Sequence, residues 1–129
     1  MPFDGIDFTQ RDLMLNKLDR VVHLLERQEK WCQHQILGWD GSRCILGALF
    51  IAGAKRLLSP VILAAARDIT DVPFSRIDYF NDHYATDHEL VMAVLSRAYD
   101  RILTGNIPPP PKRAAFVTWI FRHFSPSAS

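Results

Sequence analysis

The chain of 129 residues lacks most features that mark secreted, membrane or nucleic-acid-binding proteins. Its longest apolar run, Cys44 to Ala54, is about half as long as a membrane-spanning helix requires. The N-terminus has neither the basic start nor the apolar run of a secretory signal. Its 15 Lys and Arg residues nearly balance its 14 Asp and Glu residues, so a binder that depends on phosphate contacts is disfavoured. With only two cysteines, we expect a cytoplasmic protein with reduced thiols and no membrane span.

Hydrophobic residues make up 48% of the chain and its net charge is only +1, which excludes disorder for most of it. The length suits one domain. Apolar residues recur at steps of three and four, and no segment shows the sustained alternation of a strand. The sequence therefore predicts an all-α fold, a compact single-domain bundle of five to six helices with a central apolar helix. A further C-terminal helix is predicted after a polyproline spacer.

Local signals predict where these helices begin and end. Thr9 is the expected N-cap of the first helix, Ser59-Pro60 starts the third, and Thr86 to Glu89 form a capping box for the fifth. The second helix is apolar on every face and is predicted to be the dry centre of the domain. The expected ranges are about 11–29, 44–57, 59–67, a short helix within 74–84, and 86–103.

Residues 31–42 are predicted to form a connection, because Trp39-Asp40-Gly41-Ser42 contains turn residues and Gly41 can take a positive φ. Several aromatic side chains lie near connections, where such residues either form core edges or line a pocket. These aromatics are Trp31, Trp39, Phe80 and Tyr84.

Gly105 is predicted to end the last helix of the main domain. We therefore expect a helical domain over 1–106, a proline-rich spacer over 107–111, and an amphipathic helix and tail over 112–129. This terminal helix either folds back on the domain or docks on a protein partner, a membrane interface or its own copy. Its candidate partner surface consists of Phe116, Trp119, Ile120 and Phe124.

No catalytic, metal or cofactor site is predicted. Cys32, His34 and Cys44 are potential zinc ligands, but no second closely spaced pair completes a tetrahedral set. A cysteine nucleophile with His83 and Asp82 finds no support in the spacing, and no glycine-rich oxyanion loop is present. A disulfide between Cys32 and Cys44 stays open, since it depends on whether their side chains meet.

Three blocks of the sequence resemble a known family. They are Trp31-Cys32-Gln33, the segment Cys44-Ile-Leu-Gly-Ala-Leu, and Phe80-Asn81-Asp82 followed by Thr86-x-x-Glu89-Leu-Val. The chain is similar over about residues 10–103 to small uncharacterised proteins of bacteria and phages, a domain of unknown function. Their pattern reads W-x-x-G, C-x-L-G-A-L, W-N-D and T-x-x-E-V.

The sequence departs from that pattern at His34, which replaces the glycine, and at Phe80, which replaces the tryptophan. The resemblance implies a fold unit, with no known activity, cofactor or catalytic residue. It draws attention to Asn81 and Asp82, which we expect to tie the loop to the backbone ends of neighbouring helices.

The leading hypothesis is a cytoplasmic helical module that acts through protein interaction or self-association, so an enzyme is less favoured. The alternative is an enzyme or small-ligand binder with a pocket near Trp31, Cys32, Cys44, Asn81 and Asp82. A weaker alternative is a DNA-binding regulator with a helix-turn-helix near 59–68. In that reading only Arg67 and Arg76 face phosphates.

Overall fold

A computed structural model describes residues 5–108 of the chain, and this part is all-α, which confirms the predicted class. Its elements are α1 (Gly5–Leu25), a 3-10 turn (Gln28–Lys30), α2 (Ile45–Ala52), α3 (Lys55–Thr70), α4 (Ile77–Asn81) and α5 (His88–Leu103). Most of the spacer and all of residues 112–129 lie outside the described range. The division into domain, spacer and terminal helix therefore stays a prediction.

The core forms where α5 packs against α3 and α1, and α2 closes it against α1, α3 and α4. These helices present apolar residues every three or four positions, so each buries one continuous stripe. Burying one large apolar side chain contributes about 1.5–3 kcal/mol. Among the largest fully buried side chains are Leu18, Leu25, Ile45, Leu49, Leu58, Ile62, Phe80, Leu95 and Ile102. Of the described helices, none has both the length and the apolar character that crossing a membrane requires.

The second helix is shorter than predicted. It ends at Ala52 and does not continue to Leu57, because Gly53 takes the left-handed conformation with φ 65°. Glycine has no Cβ, so this conformation has no steric cost and the chain can turn into α3. The Lys17 ammonium group donates a hydrogen bond of 2.9 Å to the carbonyl oxygen of Ala52, which stabilises the same helix end.

The prediction that this helix is dry on every side is wrong. Ile45, Ala48 and Leu49 are buried on one face, whereas Phe50 and Ile51 on the opposite flank are exposed. The most extensive helix packing joins α5 to α3 and to α1, and α2 adds only its buried face to this core.

The predicted start of the third helix at Ser59-Pro60 is also wrong. The helix begins one turn earlier, at Lys55, and Pro60 lies inside it. Leu58 is fully buried, and helical backbone from Lys55 onward directs that side chain into the core. Ser59 does not cap the helix, and its buried hydroxyl has no hydrogen-bond partner within residues 5–108.

Two other helix limits differ from the sequence prediction. The N-cap of α5 is Asp87, whose carboxylate accepts a 2.8 Å bond from the Leu90 amide, while the Thr86 hydroxyl bonds the carbonyl of Phe80. The first helix extends from Gly5 to Leu25, so Thr9 lies inside it. It ends before residue 29 because the chain turns there into the 3-10 segment.

Candidate functional site

The connection between the 3-10 turn and α2, residues 31–44, is here called the connection loop. Its two ends run side by side, because the Cys32 amide donates to the carbonyl of Arg43 (3.2 Å) and the Arg43 amide donates to that of Lys30 (2.8 Å). This is one step of parallel strand pairing, with Trp31 and Arg43 opposite each other. Gly41 has φ 83°, as predicted for the turn.

The side-chain amide of Asn81 inserts between the two paired segments. In a continuing parallel ladder, the next bond in register would run from the Ile45 amide to the Cys32 carbonyl oxygen. The Ile45 amide instead donates to Asn81 Oδ1 (3.0 Å), and Asn81 Nδ2 donates to the Cys32 oxygen (3.1 Å). The carboxamide thus substitutes for a peptide unit and joins α4 to the connection loop and to the start of α2.

Every hydrogen-bonding position of the Asn81 side chain is used. Oδ1 also accepts a 2.8 Å bond from Trp31 Nε1, and Nδ2 also donates to Asp82 Oδ1 at 2.9 Å. A carboxamide has two donor hydrogens and two acceptor lone pairs, so these four bonds fill its capacity. Because Asn81 is fully buried as well, its chemistry is that of a structural link.

Gln33 and Asp82 fasten the first part of the loop to the turn after α4. Gln33 Nε2 lies 3.0–3.2 Å from the carbonyl oxygens of Asn81, His83 and Thr86. Asp82 Oδ1 accepts a 2.8 Å bond from the His34 amide. Gln33 was not among the predicted site residues, although it belongs to the Trp31-Cys32-Gln33 block that carries the resemblance.

His34 adopts a left-handed backbone conformation with φ 67°. For an L-residue this conformation costs about 1–2 kcal/mol, whereas glycine takes it freely. The resembled pattern W-x-x-G has glycine at this position, so the geometry gives a physical reason for that preference.

Gly47 allows the loop to lie directly against the first turn of α2. A Cβ atom at this position would collide with the carbonyl oxygen of Ile36. That same oxygen accepts a 3.3 Å bond from the Cys44 amide. The glycine of the Cys44-Ile-Leu-Gly-Ala-Leu block is therefore explained by close backbone contact with the loop.

Cys44 is the N-cap of α2, and its sulfur accepts a 3.3 Å bond from the Gly47 amide. Burial raises the pKa of its thiol, so the nucleophilic thiolate is disfavoured. Cys32 is half-buried, and both cysteines are free. Residues 5–108 contain no cluster of three or more His, Cys, Asp or Glu residues able to hold a metal ion.

The structure thus brings together the five predicted candidates: Trp31, Cys32, Cys44, Asn81 and Asp82. The aromatics predicted near connections separate into two groups. Trp31 and Phe80 belong to the interior, whereas Trp39 and Tyr84 are almost completely exposed, so the four do not line one pocket. The other predicted surface, formed by Phe116, Trp119, Ile120 and Phe124, lies outside the described residues.

Beyond this anchored part, the loop holds three large apolar side chains in solvent. Ile36 is 55% exposed, Leu37 is 61% exposed and Trp39 is fully exposed. We call these three residues the apolar tip. Ile36 rests against Gly47, and the exposed Phe50 and Ile51 follow Gly47 by three and four residues, on the same face of α2. The Lys55 ammonium group lies over the Phe50 ring, 5.4 Å from its centre.

Fold and site together define a small helical domain whose connection loop is fixed by a buried asparagine and carries an exposed apolar tip. Residues 10–101 match a family of unknown function, DUF6197, and the chain belongs to this family. The predicted membership of a family without known activity is thereby confirmed. Comparison with curated proteins and with solved structures gives no match.

Proposed function

We propose that the protein is an interaction module that binds another protein through the apolar tip. The observation that carries this proposal is the full exposure of Trp39 beside Leu37 and Ile36, on a loop whose backbone is fixed from both ends. Trp is among the residues most enriched at the energetic centres of protein interfaces. Exposing such side chains forgoes about 1.5–3 kcal/mol of burial for each, so fold stability alone gives no reason to keep them outside.

The tip is already ordered before any partner binds. The Gly38 amide donates a 2.7 Å bond to the Ser42 carbonyl, which closes the turn that carries Trp39. The other end of the loop is held by Asn81 and Gln33. Ordering a loop on binding reduces affinity, and a fixed loop avoids most of this cost.

The shape of the tip favours a partner protein with an apolar cleft. A stable interface buries about 800 Å² on each partner, and three side chains supply only part of this area. Two copies meeting through their tips alone would bury too little for a stable dimer. A cleft that encloses Trp39 gains contacts on several of its sides and can extend onto Phe50 and Ile51 of α2.

The other predicted functions have less support in the described residues. A ligand pocket at Asn81 has no free hydrogen-bonding group on that side chain, and the Cys44 thiol is buried and out of reach of a bound substrate. The helix-turn-helix alternative is disfavoured because α4 has only five residues and Arg76 is paired with Asp78. The terminal surface centred on Trp119 stays a second proposed contact, and the cytoplasmic location stays a prediction.

The test compares four purified proteins as bait in quantitative pulldowns from cells that express the chain. They are the full chain, Trp39→Ala, Tyr84→Ala and a chain ending at residue 106. Tyr84 is the matched control, because it is an equally exposed aromatic side chain outside the loop. A protein enriched by the full chain is then purified, and its dissociation constant is measured against all four.

The proposal predicts that Trp39→Ala weakens binding of the purified partner by about tenfold or more, as removal of a central interface residue does. Tyr84→Ala should bind like the full chain. Equal affinity for Trp39→Ala overturns the proposal, and loss of binding only in the shortened chain assigns the contact to the terminal segment. A full chain that dimerises in light scattering while Trp39→Ala stays monomeric assigns the tip to self-association instead.

A further inference from the structure

The two cysteines occupy matching positions on the paired ends of the connection loop. Cys32 follows Trp31 and Cys44 follows Arg43, the pair that faces each other across the parallel step. Side chains alternate along paired backbones, so the residues after that pair direct their side chains to one common side. Paired strands lie about 4.8 Å apart and disulfides have Cα separations of about 4.4–6.8 Å, and Cys32 and Cys44 directly follow the one paired step of the two segments.

Their environments give the two thiols different accessibility. Cys44 is only 4% exposed, whereas Cys32 is half-buried and its thiol donates to the carbonyl oxygen of Gln35 at 3.5 Å. The pKa of Cys44 is raised mainly by burial, and negative charge on Cys32 raises it further.

We propose that Cys32 and Cys44 form a dithiol site that hydrogen peroxide oxidises to an intramolecular disulfide. The Cys32 thiolate attacks one peroxide oxygen, an S–O bond forms as the O–O bond breaks, and hydroxide leaves. Cys44 Sγ then attacks Cys32 Sγ as the Cys44 thiol gives up its proton, the S–S bond forms, the S–O bond breaks and a second hydroxide leaves. The two thiol protons convert both hydroxides to water, so one peroxide and two thiols give one disulfide and two waters.

Cys32 reacts with peroxide first because it is the more accessible thiol. The buried Cys44 then attacks the sulfenic acid formed on Cys32. The resulting ring runs from residue 32 to 44 and contains the whole apolar tip. Oxidation would therefore fix the loop covalently as well as through Asn81. This inference holds or fails independently of what binds to the tip.

The test uses the reduced full chain treated with hydrogen peroxide, followed by thiol blocking and trypsin digestion. Trypsin cleaves after Lys30, Arg43 and Lys55, so the cysteines fall on separate peptides, 31–43 and 44–55. A disulfide joins these two peptides in a species that reductant separates. Cys32→Ser and Cys44→Ser are the matched controls, and serine retains the capping role at position 44.

The expected result is the joined peptide from a chain that remains monomeric, and its absence from both serine variants. The equilibrium constant for forming this disulfide is measured in glutathione redox buffers. It should be about tenfold or more higher in the folded chain than in the chain unfolded by concentrated guanidinium chloride. The proposal is overturned if peroxide yields only intermolecular disulfides or higher oxides of Cys32. It is equally overturned if folding leaves the equilibrium constant unchanged or lowers it.

Discussion

Trp31 and Asn81 are fifty residues apart in the chain, and a 2.8 Å hydrogen bond joins the indole nitrogen of the first to the amide oxygen of the second. The same oxygen accepts a hydrogen bond from the Ile45 amide at the start of α2. One buried carboxamide therefore fixes the position of the connection loop relative to α2 and α4. Because the apolar tip belongs to this loop, its presentation to a partner depends on the same few bonds.

Gly47→Ala should destabilise the protein by about 1–3 kcal/mol, although alanine is the better helix former. The added methyl group collides with the carbonyl oxygen of Ile36, so either the loop or the first turn of α2 must shift. Denaturant unfolding measures this change. Ser96→Ala, at an exposed site on α5, is the control and should be neutral or slightly stabilising. An unchanged midpoint for Gly47→Ala would mean that the loop does not rest on α2.

His34→Gly should stabilise the protein by about 0.5–1 kcal/mol, because glycine relieves the left-handed strain at φ 67°. The His34 amide still donates to Asp82 in this variant. Gln35→Gly is the matched control, since Gln35 is the neighbouring exposed residue and has no positive φ. Thermal unfolding should show opposite shifts for the two variants. A loss of stability in His34→Gly would show that the imidazole contributes more than the strain costs.

Asp68 links α3 to α5 through Arg97 Nε (2.8 Å) and Arg101 Nε (2.6 Å). Hydrogen bonds from Arg101 and then Arg97 hold the pKa of Asp68 well below its ordinary value of 3.8. A lowered folded-state pKa contributes stability that is present above the unfolded value and is lost as the pH falls towards the folded one. Asp68→Asn should therefore cost about 1 kcal/mol at neutral pH, a modest value because the carboxylate is partly exposed.

The pH dependence separates this ion pair from a packing effect. The stability difference between wild type and Asp68→Asn should be constant above about pH 5 and should shrink as the pH falls below about 4. Asp100→Asn, which removes an exposed carboxylate on α5, is the control variant measured over the same pH range. A difference that keeps its neutral-pH value in acid would exclude the charge of Asp68 as its source.

Removal of residues 107–129 should leave a folded domain. The described residues 5–108 form a hydrophobic core among themselves, and the last turn of α5 is held by the Arg101 guanidinium, which donates to the Asn106 carbonyl at 2.9 Å. Circular dichroism should show a cooperative helical transition with a Tm within about 5 °C of the full chain. A shortened chain without such a transition would place part of the terminal segment in the core.

The all-α class and the existence of most helices could be predicted because the spacing of apolar residues indicates which face of a helix is buried. Helix starts were harder to place. Ser59-Pro60 is a typical start signal, but burial of Leu58 extends α3 backwards by one turn. The end of α2 at Gly53 was not predicted, because the sequence alone does not show which glycine takes a positive φ.

The site itself was predicted only as a set of residues. Asn81 and Asp82 were expected to tie the loop to helix ends. Asn81 does so at the start of α2, whereas Asp82 binds the His34 amide within the connection loop. Nothing in a single sequence pairs Asn81 with Trp31, because residues fifty positions apart leave no local pattern. The exposure of Trp39 could not be predicted either, because a large aromatic residue beside a turn is also typical of a core edge.

The anchoring role of Asn81 is tested most directly by hydrogen exchange of the loop amides in wild type, Asn81→Ala and the exposed control Asn106→Ala. The account predicts slow exchange at Cys32, Arg43 and Ile45 in wild type and in the control. In Asn81→Ala these amides should exchange about tenfold faster or more, with a loss of about 2–4 kcal/mol in unfolding free energy. Rapid exchange of the loop in wild type, or protection that survives in Asn81→Ala, would contradict the account.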